Sequence, residues 1–96
     1  MSELPILAKL RFLHLDIALK HLETASEKCS EDAVFIVRSF THKYDALTSY
    51  LDRLKEQNKI SEKTYREAKA KAEKMYRQFE NKLKEFSRKC TCKIED

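Results

Sequence analysis

The sequence predicts an all-α fold of three long antiparallel helices in an up-down-up bundle, assembled into a homodimer. Three observations carry that expectation. Zero glycines and one proline among 96 residues remove the turn punctuation that a β protein needs. Apolar residues recur at three- and four-residue spacings along most of the chain, which is the period of a helix face. That spacing is broken at 26–31 and 58–61, and each break holds a serine followed by an acid, an N-cap with a charge the helix dipole favours.

The first helix is expected over 6–28. On a helical wheel it has one continuous polar stripe, Lys9, Asp16, Lys20, Glu23 and Glu27. One apolar side carries Leu4, Ala8, Phe12, Leu15, Ala18, Leu19 and Leu22; the other carries Ile6, Leu10, Leu13 and Ile17, with Leu7 and Ala25 between them beside His14 and His21. A helix packed on two neighbours needs an apolar arc of a little over ~100°, and this one spans roughly 260°. It therefore calls for a third neighbour. Pro5 at the first turn and the Asp16/Lys20 pair at i, i+4 favour a helix over a strand.

The second helix, over 31–57, begins after Ser30 and carries Ala33, Val37, Phe40, Tyr44, Leu47, Leu51 and Leu54 at 4-3 spacing, the seam of coiled-coil-like packing. The apolar run 33–37 alone would pass for a strand, but the helical spacing continues too far for one. Asn58 tolerates the left-handed conformation that ends a helix, and Ser61 with Glu62 caps the next. The third helix, over 62–89, collects Tyr65, Ala68, Ala72, Met75, Tyr76, Phe79, Leu83, Phe86 and Cys90 on one face. Residues 90–96 have no periodicity and read as a frayed tail of the single domain 1–96.

Locally, Leu51, Leu54, Asn58, Ile60, Ser61, Tyr65 and Lys69 resemble the short C-terminal helical hairpin of the SHOCT family. Asn58 stands where that family favours glycine, and Thr64 where it favours an acid. The resemblance covers about a fifth of the chain; it implies hairpin geometry and hints at a role in oligomerisation.

Charge is unevenly distributed. Residues 59–93 hold twelve basic and five acidic side chains, net +7, while 1–58 hold eight basic and nine acidic, net −1. Lys63, Arg66, Lys74, Arg77, Lys84 and Arg88 form a stripe opposite the apolar face of the third helix, a way to lie along phosphates. Against that, each glutamate of the segment precedes a basic residue by four positions: Glu62/Arg66, Glu67/Lys71, Glu73/Arg77, Glu80/Lys84 and Glu85/Lys89. That orientation stabilises a merely solvated helix. Tyr65, Tyr76, Phe79 and Phe86 are on the core side, away from any base they could stack on.

An up-down-up bundle brings Cys29 to the same end as Cys90 and Cys92, so a bridge is geometrically allowed. The apolar N-terminal stretch, interrupted by Lys9, Arg11, Asp16 and Lys20, resembles neither a secretory signal nor a spanning helix. The chain thus reads as cytoplasmic, where free thiols are the expectation outside heat-adapted cells. Cys-x-Cys with one distant cysteine lacks the paired spacing of a zinc site. His14 and His21 are ~10 Å apart along their helix, too far to share a metal. Arg38 and His42 stand closer than the Arg/His pair of HEPN-type ribonucleases. No paired catalytic carboxylates, nucleophile elbow or glycine-rich loop is present. The sequence thus points to a non-enzymatic interaction or assembly module without metal or cofactor. Its partner is itself or another helical protein, reached through Ile6, Leu10, Leu13 and Ile17, with no membrane; nucleic-acid binding through the third helix is the alternative.

Overall fold

The computed structural model of the chain describes residues 4–90. Within them lie three helices, α1 (Ile6–Lys28), α2 (Asp32–Glu56) and α3 (Glu62–Lys89). Each helix packs on both others in a rod of 49 × 20 × 17 Å. Expected and observed helix ends agree within one residue.

Both turns are built the same way, without glycine. At the end of α1, Cys29 takes the left-handed conformation (φ 49°); its N–H donates to Ser26 O, and the Ser30 N–H donates back to Ala25 O. At the end of α2, Asn58 (φ 57°) does likewise, its N–H donating to Lys55 O and that of Lys59 to Leu54 O. These are Schellman closures, which satisfy the last carbonyls of a helix. The starts of the next helices are capped by serine hydroxyls: Ser30 Oγ accepts from the Asp32 N–H at 3.1 Å, and Ser61 Oγ from the Thr64 N–H at 3.1 Å. Asn suits a left-handed position; cysteine there is unusual.

The core uses one face of each helix. From α1 come Ala8, Phe12, Leu15, Ala18, Leu19, Leu22 and Ala25; from α2, Ala33, Phe40, Leu47, Leu51 and Leu54; from α3, Ala68, Ala72, Met75, Phe79 and Phe86. Between α2 and α3, Phe40 stacks on Phe79 with ring centroids 4.1 Å apart, and Tyr44 lies against Tyr76 at 4.7 Å. Such pairs add to the free energy of simple burial. Burial holds the Tyr44 phenol above its usual pKa.

Cys90, which the sequence assigns to a frayed tail, is buried and joined to Cys29 by a disulfide with Cα atoms 5.5 Å apart. Free thiols are therefore the wrong expectation for these two. The topology explains it: the left-handed turn aims Cys29 back across the bundle end where α3 stops. Cys92 and the rest of the tail lie outside the described residues. The bridge closes a loop across 61 positions, for which the chain-entropy model gives about 4 kcal/mol. Replacing both cysteines by serine, or adding reductant to the native chain, is predicted to lower urea-unfolding stability by about 2–4 kcal/mol while leaving the helix content unchanged. Unfolding curves that coincide with and without reductant would contradict this.

Candidate interaction surface

Because α1 is apolar nearly all round, packing it on α2 and α3 leaves one apolar side outward. Ile6, Leu10, Leu13 and Ile17 are 76, 44, 51 and 40 % exposed, and Leu7 at their edge is 46 % exposed. Their 4-3-4 spacing aligns them along one side of the first three to four turns of α1. These are the four interface residues expected from the wheel, and the structure leaves all of them in water.

Two further apolar side chains, Val34 and Phe35 at the start of α2, are 53 and 69 % exposed. The sequence reading assigned the 33–37 run to the seam through Ala33 and Val37 and so passed them over. Their signal was legible, since on the wheel both fall off the 4-3 seam. Phe35 shares a cleft of about 460 Å³ with His21, Thr24 and Ile36, and His21 and Thr24 continue the side of α1 that carries Ile17. The exposed apolar strip thus runs along the first turns of α1, and His21 and Thr24 lie between it and Phe35.

The strip has two unlike flanks. Towards α3 lie Lys9 and Asp16, lining a cleft of about 500 Å³ with Phe12, Leu13, Lys71 and Lys74. Asp16 pairs with Lys20 at 3.4 Å, and Lys71 Nζ sits 4.8 Å from the Phe12 ring centroid, which fixes its stem over the core edge. Towards α2 the flank is Leu7, His14 and His21, all exposed. Beyond it Arg11 lies over Tyr50, 5.6 Å from the ring centroid, with its Nε buried and lacking a hydrogen-bond partner.

The other candidate, the basic stripe of α3, is also on the surface. Lys63, Arg66, Lys74, Arg77, Lys84 and Arg88 are all exposed. Arg66 pairs with Glu62 at 3.3 Å and Arg77 with Glu73 at 4.0 Å. Other α3 charges are turned towards the rest of the bundle: Glu62 pairs with Lys55, Lys69 with Asp52 at 3.4 Å, and Lys82 with Glu23 at 3.3 Å. His42 is exposed on α2. Among the described residues no group of three or more His, Cys, Asp or Glu side chains could hold a metal ion, and no helix is long and apolar enough to cross a membrane.

The most structured polar contact joins α2 to α3 near their turn. The Tyr65 hydroxyl donates to Asp52 Oδ1 at 2.6 Å, and Lys69 Nζ donates to the same oxygen at 3.4 Å. The Tyr65 hydrogen bond, with the Lys69 charge behind it, holds the Asp52 carboxyl below its ordinary value of 3.8, and the same bond raises the Tyr65 phenol. A depressed carboxylate pKa stabilises the fold above the ordinary value, and the contribution is lost as pH falls through the lower folded value.

No protein-family model, curated protein or solved structure matches the chain. The resemblance around residues 51–69 therefore extends to the hairpin geometry between α2 and α3 alone.

Tyr65→Phe is predicted to lower stability near neutral pH. It should also flatten the acid limb of the stability curve below about pH 4. Thermal melts of both proteins across that range check the prediction; parallel curves at all pH values would show that Asp52 is not held by Tyr65.

Proposed function

We propose that this chain is a non-enzymatic helical interaction or assembly module that works through the outer apolar strip of α1. The observation that carries the reading is that Ile6, Leu10, Leu13 and Ile17 lie in one line and are all exposed. Scattered surface leucines need no explanation, but a contiguous apolar patch on a small domain marks a place where another surface docks. Covering four half-exposed aliphatic side chains stabilises a complex by a few kcal/mol before the cost of association, at about 25 cal/mol per Å². The partner is a second copy or another helical protein, because a straight stripe at helical spacing accepts another helix side by side.

Nucleic-acid binding through α3 has less support. Glu62 and Glu73 already engage Arg66 and Arg77, and the α3 aromatic rings Tyr76 and Phe79 pack against α2. Ion pairs within α3 thus hold two of the six stripe cations, and the face gives bases no stacking platform. The cytoplasmic placement belongs to the same proposal; a Cys29–Cys90 bridge there requires the redox balance of a heat-adapted cell, to which a Lys/Glu-rich surface is also suited.

Leu10→Glu/Leu13→Glu is the decisive variant. Both side chains lie outside the chain's own core, so the variant should keep its circular dichroism spectrum and melt within about 1 kcal/mol of the parent. Light scattering should at the same time show any assembly of the parent reduced to single chains. Loss of helical structure would mean that the strip is core; an assembly that survives the substitutions would mean that it forms elsewhere.

A further inference from the structure

The strip ends in a way that selects its occupant. Numbered along α1, Ile6, Leu10, Leu13 and Ile17 alternate as the two inward positions of a heptad, and the next such position is Lys20. A parallel helix pair would set Lys20 against Lys20 within the seam, a like-charge contact. An antiparallel pair does not.

We infer that a second copy of this chain covers the strip, with the two α1 helices antiparallel and residue i opposite residue 23 − i. The inference rests on the reading of α1 as the interaction surface and names its partner. In this register the 4-3-4 pattern meets itself: Ile6 faces Ile17 of the second copy and Leu10 faces Leu13, each contact made twice about a two-fold axis. Lys20 falls beyond the start of the second copy's α1, out of the apolar layer.

The charges agree. In an antiparallel pair like flanks meet like flanks, so the α3-side flank of one copy meets the α3-side flank of the other. Lys9 and Asp16 of the second copy then stand two residues, ~3 Å, from direct opposition, within reach of a lysine side chain. The two-fold axis makes this ion pair twice. Parallel pairing would instead set each α3-side flank against an α2-side flank, facing Lys9 with His14 and Asp16 with His21. The strip's far end is served as well. Ile6 and Leu7 of the second copy arrive beside Ile17 and cover its exposed side. The apolar surface available is roughly 1,000 Å² over both copies, at the small end of specific interfaces, so the dimer separates on dilution.

Paired cysteines read the register directly. In a Cys92→Ser background, which leaves the Cys29–Cys90 bridge in place, Leu10→Cys and Leu13→Cys chains of distinguishable mass are mixed and oxidised. The expected product is the mixed 10–13 cross-link, in several-fold excess over 10–10 and 13–13. Predominance of 10–10 and 13–13 would overturn the antiparallel register while leaving α1 as the interface. Because either substitution could loosen the dimer, charge reversal gives an independent readout by light scattering of otherwise native chains. Lys9→Glu alone and Asp16→Lys alone should each weaken dimerisation roughly ten-fold, and an equimolar mixture should recover it, since each mixed pair restores opposite charges at both ends. A mixture no tighter than its components would overturn the inference. A native chain that stays at 11.4 kDa at all concentrations would also overturn it, and would leave the strip to a different protein.

Discussion

The structure depends on α1 having more apolar surface than two neighbours can cover. Ala8, Phe12, Leu15, Leu19 and Leu22 fill the groove between α2 and α3, and without them the aromatic stack of Phe40 on Phe79 would face water on its open side. The helical period then forces the remaining apolar residues outward, because residues 200° apart on the wheel, such as Leu13 and Leu15, cannot share one face. Burying Leu15 and exposing Leu13 are one geometric fact. The price of this arrangement is an oily strip in water, and that strip is the surface on which the proposed association rests.

The strip is held on a firm support. Two glycine-free Schellman turns end α1 and α2, and a disulfide ties the end of α3 to the first of them. At the opposite end of the rod, Tyr65 and Lys69 grip Asp52 across α2 and α3. Both ends of the bundle are thus fastened by contacts between helices, and the inner side of α1 packs on both of the helices so joined. A strip carried on a packed helix would lose less conformational entropy on docking than a flexible segment.

Much of this was legible in the residues. The 4-3 spacing from Ala33 to Leu54 set α2, Ser61 and Asn58 set the turn before α3, and the two-sided wheel of α1 identified Ile6, Leu10, Leu13 and Ile17 as surplus to the core. What escaped had physical causes. Cys29 gave no sign that it would adopt the left-handed conformation normally left to glycine or asparagine, and that conformation is what brings its thiol to Cys90. Phe35 was masked by its neighbours in an unbroken apolar run, where its place off the 4-3 seam through Ala33 and Val37 is the one sign that it faces outward. The Tyr65–Asp52 contact spans 13 positions and two helices, beyond any local pattern.

The central claim is that the outer strip of α1 is covered by another chain rather than left in solvent. Methyl NMR of the native chain with a soluble paramagnetic probe tests it most directly. At high concentration the methyls of Ile6, Leu10, Leu13 and Ile17 should be shielded nearly as well as those of core Leu15 and Leu22, and they alone should lose that shielding on dilution. Strip methyls that are strongly relaxed by the probe at every concentration would contradict the account.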